Sequence, residues 1–257
     1  MKILDTAIPE VKILEPRLFE DARGYFFESF NERLFAELVA PVHFVQDNES
    51  RSSYGVVRGL HFQCGEAAQA KLVRVIRGRV LDVAVDVRRG SPTFGQHVAV
   101  ELTEDNHRQL FIPRGFAHGF SVLSEEVVFQ YKCDNYYAPE AEGAIAWDDP
   151  ALGIDWRIPR ERVLLSAKDS AHPRLSEATK LAQPLLLLGA SGQLGSELRR
   201  LLDAAAVPYL APELDELNLT SPTSLAGYLT AHQPALIINA AAYTAVDKAE
   251  SERELAE

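Results

Sequence analysis

Only two cysteines, Cys64 and Cys133, occur among the 257 residues. They lack the paired spacing of a zinc knuckle, and two thiols do not suggest a disulfide scaffold, so both are expected to be reduced packing residues. Basic side chains are also scarce: 26 Lys and Arg stand against 37 Asp and Glu, a formal net charge of −11. A general nucleic-acid binder needs a basic face to displace counterions, which argues against that class of partner. A small anionic ligand is still compatible, because a few converging Arg and Lys are enough to hold one. No apolar run reaches the length of a membrane span. The opening MKILDTAIPEVKILEP is broken by Asp5, Pro9, Glu10 and Lys12, unlike a signal peptide. The expectation is a cytoplasmic protein without a membrane partner. There is no internal repeat and no low-complexity tract.

What is present is core material: 47% of residues are hydrophobic, which argues against disorder. The chain is long for one domain and short for two complete ones. Up to about residue 165 the pattern is one of short strands, with a single helix expected over Asn31–Leu38. In KLVRVIRGRVLDVAVDV, Val73, Val75, Val80, Val83 and Val85 nearly alternate, predicting two strands with a turn near Arg77-Gly78. QHVAVEL, RQLFIP, FAHGFSVL and EVVFQYKC follow at similar spacing. Many short strands so arranged predict an all-β sandwich or rolled barrel, of jelly-roll type.

Two stretches carry chemistry. RGLHFQ places Arg58 and His61 on one predicted strand. A spacing of three puts them on opposite faces of a regular strand, so a shared pocket needs a twist, a bulge or the reach of the arginine. IPRGFAHGF contains Pro113, Gly115 and His118, and this Pro-x-Gly-x-x-His pattern resembles the second motif of cupin barrels. Metal-binding cupins also have a His-x-His pair, for which this chain has His61-Phe62-Gln63. The second imidazole is missing and three suitable ligands are hard to assemble, so no metal site is expected. His61 is then free for proton chemistry. The other histidines, His172 among them, are expected on surfaces or edges.

The segments PRLFEDARGYFFESFN, FVQDNESRS, VVRGLHFQ, KLVRVIRG, SPTFGQ, IPRGFAHGF, YKCDNYYAPEAEGAIAWDDPALGIDW and LSAKD together resemble the dTDP-4-dehydrorhamnose 3,5-epimerase family. The resemblance spans nearly all of residues 1–175. It implies inversion of carbons 3 and 5 of a dTDP-linked 4-keto-6-deoxyhexose, with neither a redox cofactor nor a metal. It also implies roles by position: His61 as base, Asp169 as its partner, Tyr131 as acid and Lys71 as the cation beside the enolate. Arg58 and Arg23 match pyrophosphate contacts, while Phe26, Glu28, Gln46 and Asn48 match residues around the thymine and deoxyribose. His118 is placed with the substrate-binding set. In the family part of that set comes from a neighbouring subunit, so a homodimer with a shared site is implied, with Arg23, Phe26 and Glu28 acting across it. Alternatives within reach are a 3-epimerase of a related nucleotide sugar, a cupin metalloenzyme, and a silent sugar-nucleotide binding module.

Residues 176–183 are predicted to be a linker, and residues 184–257 change character. Leu185–Leu188 predicts a buried strand, GASGQLG a glycine turn, and Leu194, Leu198, Leu201 and Leu202 one face of a helix. Further strands near 207–211 and 235–239, a helix near 222–231 and a last helix through VDKAESERELAE complete the pattern. This is a partial α/β, Rossmann-like segment in which Gly189, Ser191, Gly192, Gln193, Leu194 and Gly195 would face the pyrophosphate of NAD(P)H. IINAAAYTAVDKAE resembles dTDP-4-dehydrorhamnose reductase. That resemblance implies close approach of the cofactor at Ala240, Ala241 and Ala242. Asn218 stands where relatives carry Asp. No Tyr-x-x-x-Lys pair is present, since Tyr209, Tyr228 and Tyr243 are followed four positions later by Glu213, His232 and Asp247. About three strands are supplied where such a sheet uses about six. A reductase cut short, itself unable to reduce sugars, is the expectation.

Overall fold

The computed structural model describes residues 1–178, 184–204, 207, 209–232, 234 and 236–242, and the chain forms two compact units that part near residue 182. The first unit is built from β1 (Lys2–Asp5), β2 (Lys12–Glu15), β3 (Phe19–Asp21), β4 (Gly24–Phe26), α1 (Glu32–Leu38), β5 (Gln46–Ser53) and β6 (Val57–Gln63). It continues with β7 (Lys71–Arg77), β8 (Arg79–Asp86), β9 (His97–Thr103), β10 (Gln109–Ile112), β11 (Phe116–Val122), β12 (Glu126–Cys133) and β13 (Glu142–Ala144). Two antiparallel sheets result, one ordered β1-β2-β10-β7-β12-β5 and the other β13-β6-β11-β8-β9. This is the jelly-roll arrangement the strand spacing predicts.

Alternation decides which side chains enter the barrel. On β7 and β12, Val73, Val75, Val127 and Phe129 face inward, meeting Val80, Ala84, Phe116 and Phe120 from β8 and β11 in one buried cluster. Leu81, Val83 and Val85 of β8 face the other way, yet they are fully buried as well. Residues beyond β13 cover them, with Ile145, Leu152, Trp156 and Leu175 packed on that face. The five-stranded sheet is therefore covered on both sides, and β11 is buried along its whole length. On the other sheet, α1 lays Phe35 against Phe30, Phe44 and Phe111 with ring centroids 5.3–5.7 Å apart. The helix begins where predicted, because the Asn31 side chain caps it by accepting the N–H of Leu34.

The second unit holds β14 (Leu185–Leu188), α2 (Gln193–Ala204), β15 (Tyr209–Leu210), α3 (Pro222–His232) and β16 (Leu236–Asn239). Its strands pair in parallel in the order β15-β14-β16. Leu186, Leu188 and Leu217 form its core with Leu225, Tyr228 and Leu229 packed against them. The apolar face expected of α2 is only partly covered, since Leu194 and Leu201 are exposed. The helix predicted through VDKAESERELAE and most of the linker lie outside the described residues. Among the described residues no helix is long and apolar enough to cross a membrane.

Candidate active site

At one mouth of the barrel the inward faces of four strands carry polar groups instead of core residues. Gln46 and Asn48 from β5, His61 and Gln63 from β6, Lys71 from β7, and Tyr131 and Cys133 from β12 line a cleft of about 300 Å³ with Gln69, Tyr137 and Glu142. Sheet register brings them together: Tyr131 stands opposite Asn48 on one side and Val73 on the other, and Cys133 stands opposite Gln46 and Lys71.

Arg58 and His61 do share a face. His118 pairs with His61 and Phe120 with Arg58, so β6 carries one extra residue where β11 has none. The bulge forms at Gly59 (φ +125°), where a Cβ would lie 2.5 Å from the Cα of Gly119. Only glycines allow the two backbones this close. Arg58 Nε then donates to Ser52 Oγ at 3.1 Å, on the inward side of β5.

Asp169 arrives from the segment that wraps the five-stranded sheet. The Ser166 hydroxyl donates to its carboxylate at 2.7 Å and accepts its backbone N–H at 3.0 Å, a local turn that fixes the side chain. Its Oδ1 lies 2.7 Å from Nε2 of His61. Burial opposes the charge on Asp169, but His61 and the Ser166 hydroxyl overcome it and hold the carboxyl at about 2. His61 is 31% exposed and Asp169 7%, so the imidazole faces the cleft with the carboxylate behind it.

The epimerase family profile described as dTDP-4-dehydrorhamnose 3,5-epimerase matches residues 5–177. A protein of that name from Salmonella typhimurium is 57% identical over 182 residues, which are 69% of this chain and 97% of that one. The chain belongs to the dTDP-4-dehydrorhamnose 3,5-epimerase family. The crystal structure of dTDP-6-deoxy-D-glucose-3,5-epimerase from Legionella pneumophila, in complex with dTDP-4-keto-L-rhamnose, is 52% identical. It superposes with a TM-score of 0.66 over 68% of this chain and 93% of its own. ChmJ, a 3'-monoepimerase from Streptomyces bikiniensis solved with dTDP-quinovose, is 29% identical, with a TM-score of 0.65 over 78% of this chain and 98% of its own. A second profile, described as the RmlD substrate binding domain, matches residues 183–257.

Against this family background the remaining residues divide clearly. Burial raises the pKa of Tyr131, with Arg58 opposing, and lowers that of Lys71, with nearby acids opposing. Lys71 Nζ lies 5.9 Å from the centre of the Tyr131 ring. His118 does not line the cleft. It is 7% exposed, its Nε2 lies 3.0 Å from the fully buried Asp82, and burial lowers its pKa. Arg23, Phe26 and Glu28 are not at the cleft of their own chain. Phe26 is exposed on the β3-β4 hairpin, Arg23 pairs with Asp21, and Glu28 accepts from Asn31. Gln63, in the position of the missing imidazole, donates to the carbonyls of Ala67 and Tyr136 and accepts from the N–H of Ala138.

Sequence reasoning misplaced His172. Its side chain is only 7% exposed, its ring centroid is 5.1 Å from that of His61, and its Nδ1 is 4.0 Å from Asp169. Gln69, Tyr137 and Glu142 of the cleft were missed too. Glu142 faces Gln63 across β13 and β6, a pairing no local sequence signal announces.

In the second unit, Gly189 (φ +71°) turns the chain between β14 and α2, and a Cβ there would lie 2.5 Å from the backbone nitrogen of Ala241. A Cβ on Gly195 would meet the Gly189 carbonyl at 2.1 Å. Ser191 Oγ is 3.4 Å from Glu213, Leu194 is exposed, and the Asn218 side-chain oxygen accepts from Thr220. Gly192 and Gln193 open α2, and Ala240 donates its N–H to the Leu188 carbonyl.

Proposed function

We propose that the chain epimerises carbons 3 and 5 of dTDP-4-dehydro-6-deoxy-D-glucose to give dTDP-4-dehydro-L-rhamnose. The 2.7 Å approach of Asp169 to His61 carries this reading. An imidazole turned toward a cleft and backed by a carboxylate is a base suited to neutral pH. The 4-keto group acidifies the protons on both neighbouring carbons. Nε2 of His61 faces Asp169, so Nδ1 is the nitrogen left to take each proton. Electrons from the broken C–H bond move onto the ketone oxygen, where the Lys71 ammonium stabilises them. Tyr131, kept protonated, delivers a proton to the opposite face and inverts the carbon. No step uses a metal or a redox cofactor.

Gln46, Asn48 and Arg58 would hold the dTDP group. Arg23, Phe26 and Glu28, away from their own cleft, would serve a partner's in a homodimer. The fold is shared with a 3'-monoepimerase, so the fold alone does not distinguish one inversion from two. The higher identity to 3,5-epimerases favours two. Proton NMR of the keto-sugar in deuterated water with the purified chain tests the proposal. Deuterium should enter at both carbons, and His61→Ala should stop both exchanges, a loss of at least about 10²–10⁴-fold. Exchange at carbon 3 alone would move the chain to the monoepimerases.

For the second unit we propose a Rossmann-like origin. The turn at Gly189–Gly195 suits the pyrophosphate of NAD(P)H, because its glycines leave no Cβ between the β14 turn, the start of α2 and the end of β16. Such a cofactor supplies hydride when bound. Without a Tyr-x-x-x-Lys pair these residues offer no proton donor of reductase type, so no sugar reduction is assigned to them.

A further inference from the structure

We propose that His61, Asp169 and His172 also form a binding site for a divalent transition-metal ion, Zn²⁺ foremost, and that the ion switches the epimerase off. The inhibitory half rests on the reading of His61 as the base. The site itself rests on geometry alone.

One ligand atom from each residue lies within 4.8 Å of the others. The Asp169 oxygen is 2.7 Å from His61 Nε2 and 4.0 Å from His172 Nδ1. A tetrahedral ion with bonds of about 2.0–2.1 Å spaces its ligand atoms roughly 3.3 Å apart. The His61–Asp169 gap must therefore widen and the His172–Asp169 gap close by about 0.6–0.7 Å each, and the His61–His172 gap, no more than 4.8 Å, must adjust with them through side-chain rotations.

The unusual feature is that these atoms are short of partners. His61 Nε2, Asp169 Oδ1 and both ring nitrogens of His172 are buried, and none makes an aligned hydrogen bond to a described residue. The close approach of Asp169 to His61 is thus an ion-pair contact with poor hydrogen-bond alignment. Buried polar atoms are ordinarily satisfied, and one such atom from each of the three residues is placed where a metal ion could complete it. His172 matters most, since nothing in the proton-transfer scheme uses it. Two imidazoles and one carboxylate suit Zn²⁺, whereas Mg²⁺ and Ca²⁺ prefer oxygen ligands.

Binding would act on the base through its tautomer. An ion on Nε2 displaces the hydrogen there, and the neutral ring then carries its one hydrogen on Nδ1. That nitrogen has no lone pair left to accept a proton from the sugar.

The test is titration of the purified full-length chain with Zn²⁺ against a chromogenic chelator, and with Co²⁺ for its visible absorption. The expected result is one ion per chain, with Mg²⁺ ineffective and with binding retained when both Cys64 and Cys133 are serine. His172→Ala and the closer-sized His172→Asn should each weaken binding by more than the roughly 10–100-fold that losing an orienting partner costs. Absence of stoichiometric binding, or binding unchanged in both His172 variants, would overturn the site. Deuterium exchange at saturating Zn²⁺ should fall to background and return with chelator. Full exchange with the ion bound would leave the site standing and count against His61 as the base.

Discussion

A tyrosine is protonated at neutral pH at its ordinary pKa, burial pushes that of Tyr131 further up, and such a proton could be delivered to a carbanion. Removal of the hydroxyl should separate the two halves of the reaction. In Tyr131→Phe, NMR should show deuterium exchange retained to a greater extent than net inversion, and equal loss of both would remove the tyrosine from the acid's place. Asp169→Asn keeps the shape but can present an N–H where His61 meets a carboxylate. By analogy with other carboxylate-oriented imidazoles, kcat should fall by up to about 10⁴-fold. At this scale the sequence was informative where the motif was local. His61 and Arg58 stood out in one hexapeptide, but that they share a face depends on the close approach of Gly59 to Gly119, which is 60 positions away.

Among the elements, the wrapping segment after β13 deserves the closest attention. It is tied down by Asp149, whose carboxylate accepts the N–H groups of Ala151 and Leu175, and by the Ala146 N–H to the Pro173 carbonyl at 2.7 Å. Ser166 anchors its functional end. Ser166→Ala should cost stability only on the scale of about 1 kcal/mol, as the loss of a capping hydroxyl does. Activity should suffer disproportionately, because Asp169 loses the bond that aims it. Thermal melts beside steady-state kinetics would show this, and a loss of stability that accounts for all lost activity would contradict it. The strands of the barrel were legible from alternating branched residues, and the Asn31 cap from its position before α1. The wrap was not: 145–178 has little periodicity, so nothing local placed His172 beside His61. The exposed leucines of α2 make a similar point, since amphipathic spacing predicts a face and not what covers it.

For the whole molecule, acid is the informative perturbation. Burial pushes down the pKa values of His97, His118 and His172. Their unfolded counterparts titrate near about 6.5, so as pH falls below that value the unfolded chain gains protons that the folded one refuses. Stability should therefore fall from about pH 6.5 downward. Asp169, held at about 2 in the folded state, contributes stability above its ordinary 3.8 and loses it only as pH drops from there toward 2. Thermal midpoints should drop between about pH 7.5 and about pH 5.5, each kcal/mol counting for about 2–4 °C. His118→Asn should flatten that decline, and a midpoint independent of pH in this range would refute the assignment.

The late position of Asp169 in the chain also has a consequence for biosynthesis. Translation proceeds from the N-terminus at about 5–20 residues per second. Every strand of the barrel precedes residue 145, whereas the carboxylate behind His61 is made more than twenty residues later. The strands are thus all made before Asp169, and before most of the cover that Leu152, Trp156 and Leu175 lay over the five-stranded sheet. Synthesis of this last stretch therefore closes the sheet and delivers the carboxylate to His61 in one step.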